Sequence, residues 1–173
     1  MNPDPGGLTI HIGDSATEIT MTGGSVWTMP IGPHTLVEDQ LERADRPSPT
    51  QLTNALGIVH DHFDDVVLDA PIVASAPSVE FTGRHAVELA HVELGVAELP
   101  DGYVLHRADV DEVFRTLVAE PVAQRLGNPG LDPAHVESIV GTCCVILAII
   151  RKLDLQLATV SSSDDRGPTP DGV

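Results

Sequence analysis

Residues 7–31, GLTIHIGDSATEITMTGGSVWTMPI, decide the fold. Leu8, Ile10 and Ile12 alternate with Thr9 and His11, the two-residue period of a strand with one buried face. GDSA at 13–16 breaks that strand, and TEITMT at 17–22 reads as a second. Gly23 and Gly24 supply a turn, and SVWTMPI at 25–31 reads as a third strand. Three short strands joined by tight turns predict an antiparallel meander.

Beyond it the period lengthens to that of helices. Pro33 suits the first turn of a helix with Leu36, Val37 and Leu41 on one face. Ser48-Pro49 opens a better one, a cap followed by proline at the first helical position. Leu52, Leu56, Val59 and Phe63 carry that helix to about Val66. PIVASA at 71–76 reads as a short apolar strand, TGRHAVELAHVEL at 82–94 as a helix ending near Gly95, and YVLHR at 103–107 as a brief strand. Asp109 is the expected cap of a helix that turns Val113, Phe114, Leu117 and Val118 inward. Pro121 and GNPG at 127–130 interrupt the chain. Asp132-Pro133 is expected to open the longest helix, running to about Leu153, whose apolar stretch at 139–150 should be buried on all sides. LQLATV at 155–160 is the last strand.

An initial meander followed by strand–helix alternation is the pattern of an α/β fold of the ribonuclease-H-like (actin/Hsp70/sugar-kinase) type. A mixed sheet with an N-terminal antiparallel three-strand meander and helices on both faces is expected. The expected organisation is one domain over 1–161 and a flexible polar tail over 162–173, with no internal repeat.

The composition narrows the partners. Nine Lys and Arg face 26 Asp and Glu for a net charge of −17, and Lys152 is the only lysine. Such a surface repels nucleic acid and anionic membranes. Hydrophobic residues at 42% suffice for a core, which must be aliphatic because aromatics are 3%. Adjacent Cys143 and Cys144 cannot join distant segments, and inside an apolar run they read as buried, inert thiols. The longest apolar run, CCVILAII, is far short of the ~20 residues that cross a bilayer. The first residues show no secretory signal pattern, so a cytoplasmic location is expected.

At this point the residues resemble a known family, the exopolyphosphatase/guanosine pentaphosphate phosphohydrolases (Ppx/GppA), over their C-terminal subdomain. GLTIHIGDSATEI resembles the family's phosphate motif, DIGGGSTE after an apolar strand. MPIGPHTLVEDQL, RPSPTQLTNAL and PIVASAPSVEFTG are similar to its next segments. So are LHRADVDEVFRTL and NPGLDPAHVESIVGTCCVILAIIRKL, in the family's order and spacing. The resemblance implies a fold in which substrate lies between two ribonuclease-H-like subdomains. The half carrying the other phosphate loop and the catalytic glutamate has no counterpart in these residues. It also implies phosphate-binding turns, degenerate here, at Gly13, Asp14, Ser15 and Thr17 and at Ala74, Ser75 and Ser78.

The departures from the motif oppose the inherited chemistry. His11 replaces an aspartate, and Asp14 and Ser15 replace glycines whose bare amides would approach phosphate oxygens. A carboxylate ~4 Å from a phosphate oxygen costs about 4 kcal/mol at an effective dielectric of ~20. In the other turn Pro77 removes an amide donor and Glu80 adds an anion. The resulting expectation is a non-catalytic binding or regulatory module, acting as a homodimer or with a protein partner and needing no cofactor. Polyphosphate and nucleotides are disfavoured as ligands. The alternative is a phosphoanhydride hydrolase using Mg²⁺. Glu18 would then be its base, and His11, Asp14 and Glu18 its metal ligands. Arg43, Arg46 and Arg84 would have to converge to offset the overall charge.

Other clusters read as ordinary surface. His60, Asp61, His62, Asp64 and Asp65 form an acidic helix end, and His85, Glu88 and His91 spread over a wide arc without metal-ligand spacing. Ser161–Ser163 lack the strand–turn–helix motif of a nucleophilic serine.

Overall fold

A computed structural model describes residues 6–162; the expected tail, from 163 onward, lies outside the described residues. The meander is present as β1 (Leu8–Ile12), β2 (Thr17–Met21) and β3 (Val26–Met29). Ile10 pairs with Ile19 across β1 and β2, and Ile19 pairs with Trp27 across β2 and β3. There follow α1 (Pro33–Asp39), α2 (Pro49–Asp69), β4 (Val79–Thr82), α3 (Arg84–Leu94), β5 (Val104–His106) and α4 (Arg107–Ala119). The short α5 (Val122–Arg125), α6 (Ile139–Lys152) and β6 (Leu157–Ser161) are the remaining elements among the described residues. The six strands form one sheet in the order β3-β2-β1-β4-β6-β5, with β1, β4 and β6 parallel and β5 antiparallel to β6.

The helix starts follow local chemistry. Ser48 accepts from the Gln51 amide while the Gln51 side chain accepts from the Ser48 amide, a reciprocal cap ahead of Pro49. α2 then runs to Asp69, so His60–Asp65 lie within it rather than at its end. Phe63 is fully buried there, and Asp64 pairs with His60 and Lys152.

Three expected elements are corrected. PIVASA is no strand: Pro71–Ser75 form a 3-10 turn, begun by a proline that fixes φ and lacks a ladder donor. The strand is the next segment, where Val79 and Phe81 are buried. Asp109 does not cap α4; His106 precedes its first residue, and Asp109 sits in the first turn, where a negative charge suits the helix dipole. Asp132-Pro133 opens a 3-10 turn, Pro133–His135, closed by bonds from the amides of His135 to Asp132 and Val136 to Pro133. α6 starts at Ile139, and α2, with 21 residues, is the longest helix among the described residues.

The core is aliphatic around two phenylalanines, Phe63 and Phe81, and every residue from Ile139 to Ile150 is buried. α6 packs against α1, α2, α3 and α4. Each fully buried Leu or Ile side chain contributes about 1.5–3 kcal/mol. The helices lie over the sheet face that carries Leu8, Ile10, Ile12, Ile19, Phe81 and Val160, and Trp27 donates to Asp69 of α2 from that side. The opposite face presents Thr9, His11, Glu18, Thr20, Thr28 and Glu80, all half-buried or exposed. The expectation of helices on both faces is refined accordingly: among the described residues, the helices gather on one.

Candidate functional site

The carboxyl ends of β1 and β4 lie side by side, since the parallel register sets His11 beside Thr82. In open α/β sheets ligands bind beyond such ends. The turn after β1 (13–16) therefore neighbours Gly83, Arg84 and His85, which end β4 and start α3. Gly83 has φ +95°, and a Cβ there would come within 2.9 Å of the Ile12 carbonyl oxygen. α1 closes in from the other side: a Cβ on Gly32 would meet the Asp14 carbonyl oxygen at 2.6 Å, and the His34 amide donates to that oxygen at 2.9 Å. Two glycines thus let three segments converge on Asp14.

Asp14 Oδ1 accepts from Arg84 Nη2 and His85 Nε2, both at 2.7 Å, and His34 Nε2 lies 3.8 Å away. The His34 and His85 rings meet edge to face at 5.4 Å, and the His85 and His135 rings do so at 5.6 Å. The His85 side chain is 2% exposed, against 47% for Asp14. Its Nδ1 is buried without a hydrogen-bond partner. The bonds from His85 and then Arg84 hold the Asp14 carboxyl down at about 2. Burial lowers the His85 pKa, with Asp14 opposing in part. A neutral imidazole that donates from Nε2 carries its lone pair on Nδ1.

The surface reading of His85 and Glu88 is overturned: both are buried. Glu88 Oε1 accepts the Asp132 amide and its Oε2 faces His91 Nδ1 at 3.7 Å, tying α3 to the chain after Gly130. The available signal was the helical arc itself, because His85 and Glu88 flank the inward stripe of Ala86, Leu89 and Ala90.

The residues singled out in the sequence fall in different places. Gly13 and Ser15 share the turn with Asp14, and Thr17 is buried with its hydroxyl donating to the Ile31 carbonyl at 2.8 Å. His11 Nδ1 contacts Thr82 Oγ1 at 3.2 Å, and Glu18 is exposed opposite His11 on the open sheet face. The group that forms around Asp14 contains His34 and His85, not His11 and Glu18. Ala74, Ser75 and Ser78 lie at the amino end of β4, where the Ser78 carbonyl accepts the Leu8 amide that begins β1. Because β1 and β4 are parallel, that is the end of the sheet opposite Asp14. Glu80 lies inside β4 beside Thr9, not in a turn. The segment facing the Asp14 turn is Gly83–His85, which no sequence motif marks.

Arg43 pairs with Glu38 and Glu137, Arg84 with Asp14, and Arg46 is exposed, so paired carboxylates take two of the three cations. Cys143 and Cys144 are fully buried, and desolvation pushes the Cys144 thiol up to about 12 and Cys143 higher still. Ser161 ends β6, Ser162 is exposed and Ser163 lies outside the described residues. Among the described residues no helix is long and apolar enough to cross a membrane.

A meander feeding a parallel β1, β4, β6 core, with α6 buried beneath the other helices, defines a ribonuclease-H-like α/β fold. In particular it is the fold of the Ppx/GppA proteins. An exopolyphosphatase-like protein superposes with a TM-score of 0.81 at 19% identity, over 92% of this chain and 56% of that one. The Aquifex aeolicus Ppx-GppA enzyme gives 0.79 at 17%, over 94% and 55%. An exopolyphosphatase from Cytophaga hutchinsonii gives 0.69 at 19%, over 92% and 54%. The chain therefore spans about half the length of the solved structures it matches. No family model matches the sequence, and no curated protein does.

Proposed function

We propose that this chain is a degenerate Ppx/GppA-type subdomain that does not catalyse phosphoryl transfer and serves as a binding or regulatory module, paired with itself or with a partner subunit. The observation that carries this reading is the position of the Asp14 carboxylate. Arg84 and His85, in the first turn of α3 beyond the ends of β1 and β4, form an arrangement suited to an anion. Here the anion is the protein's own side chain. A phosphate would have to displace that carboxylate and remain beside it, at a cost of about 4 kcal/mol. The net charge of −17 opposes its approach as well.

The hydrolase alternative keeps one supporting observation, the exposed Glu18 at the start of β2. The Mg²⁺ it needs takes several oxygen ligands, whereas the neighbours of Asp14 are imidazole nitrogens and a guanidinium, and Glu18 lies on the open sheet face. These donors do not fit the ion.

The deciding experiment measures phosphate release from polyphosphate and from guanosine pentaphosphate with Mg²⁺, for the wild type and Glu18→Ala. No turnover in either protein is expected. Turnover that disappears in Glu18→Ala overturns the non-catalytic reading. Light scattering of the purified chain is expected to give a dimer mass, and a strict monomer removes self-pairing.

A further inference from the structure

We propose that Asp14, His34 and His85 form a binding site for one divalent transition-metal ion of the zinc type. The proposal is independent of whether the chain hydrolyses anything, because it concerns residues other than Glu18 and an ion other than Mg²⁺.

The donor set suits that ion. Asp14, His34 and His85 each offer one ligand atom, and these three atoms lie within 4.8 Å of one another. Two imidazole nitrogens and a carboxylate oxygen are ligands that zinc takes, with a fourth position left to water. Zinc–ligand bonds of ~2.0–2.1 Å imply a tetrahedral edge of about 3.3 Å. The observed distances from Asp14 Oδ1, 2.7 Å to His85 and 3.8 Å to His34, bracket that edge. Movements of roughly half an ångström in each direction would close the site.

The ligands are held from three separate parts of the chain: the turn after β1, the first turn of α1 and the first turn of α3. His85 is fixed by burial and by the edges of two other rings. Arg84, with 62% of its side chain exposed, can leave Asp14 Oδ1 by rotating into solvent. Metal binding at His85 Nε2 requires the ring proton to sit on Nδ1. The ion would take the place of the proton that Nε2 donates to Asp14, and no protein group on Nδ1 opposes the transfer of the ring proton to that atom. The half-exposed His34 and Asp14 leave the site open to water and to an entering ion.

A second group, His60, Asp61 and Asp64, has similar residue types but lies on the outer face of the single helix α2, with Asp64 already paired to Lys152. It provides the internal control. Tag-free full-length protein is titrated with Zn²⁺ by calorimetry and with Co²⁺ by visible absorption. The expected result is about one equivalent with micromolar or tighter affinity and a tetrahedral cobalt spectrum. His34→Ala, at an exposed position that spares the fold, should weaken binding by more than the ~10–100-fold typical of losing a supporting residue. Asp14→Asn should weaken it too, while His60→Ala should leave it unchanged. Absence of saturable binding overturns the proposal. So does binding that survives His34→Ala, or that His60→Ala abolishes.

Discussion

Asp14 and His85, 71 residues apart in sequence, share a 2.7 Å hydrogen bond that ties the turn after β1 to the first turn of α3. His85 is buried, so removing the acceptor leaves its imidazole with no hydrogen bond at either nitrogen. Asp14→Ala is expected to cost about 1–3 kcal/mol in urea unfolding. Arg84→Ala removes the other donor, but that pair is solvent-exposed and should cost less than about 1 kcal/mol. Equal losses in the two variants would refute the assignment of the tie to His85.

Restoring a glycine at the same place tests the anion argument. Asp14→Gly removes the internal carboxylate and leaves Arg84 and His85 free to receive an external one. Inorganic phosphate or sulfate should then protect the variant in thermal unfolding, rising with concentration as linkage requires. The wild type should show a smaller shift under the same conditions. An identical response in both would mean that Asp14 does not occupy the anion position.

Acid should destabilise the protein in two stages. The folded pKa of His85 lies below 6.5, so its contribution is present above that value. As pH falls below 6.5, the unfolded chain takes up a proton that the folded chain refuses, and stability declines. Asp14, lowered from 3.8 to about 2, contributes above pH 3.8 and loses that contribution as pH falls toward 2. Its half-exposed position limits the second stage to about 1 kcal/mol. Unfolding free energies from pH 8 to pH 2 should show both declines in the wild type, and the second should be absent in Asp14→Asn.

Two helical glycines should respond in opposite ways. A Cβ on Gly141 would meet the Pro33 carbonyl oxygen at 2.5 Å, so Gly141→Val forces α6 and α1 apart at a cost of about 1–3 kcal/mol. Gly57, within α2, is open: a Cβ there would meet nothing within 4 Å. Gly57→Ala should stabilise by roughly 0.5–1 kcal/mol through helix propensity. Chemical denaturation measures both, and a stable Gly141→Val would show that the α1–α6 approach is loose.

Local patterns revealed most of the fold. Alternation at Leu8, Ile10 and Ile12 located β1, and Ser48-Pro49 located the start of α2, because each is set by neighbours within a few residues. The segment at 71–76 misled because its apolar content suits a strand and a 3-10 turn equally, and Pro71 decides between them. The site was half legible. Asp14 stood out as a carboxylate where the resembled motif has glycine, but its partners are remote in sequence. Only the parallel pairing of β1 with β4 shows that Gly83–His85, not Ala74–Ser78, faces it. His34 and His135 arrive from two further segments, for which a linear pattern has no signal.

The strand order also governs when the protein can become itself. β6, made last among the described strands, lies between β4 and β5 and is the only one of them that pairs with β5. Until residues 157–161 leave the ribosome, β5 has no ladder and β4 presents a bare edge, a state open to mispairing. Completion of the sheet must wait for pairings between segments far apart in sequence, Leu8 with Val79 and Glu80 with Thr159. Long-range closure of this kind makes folding slow relative to a helical chain of similar size. A nascent chain stalled before Leu157 would hold the meander and α2 without the seam that joins them to β5.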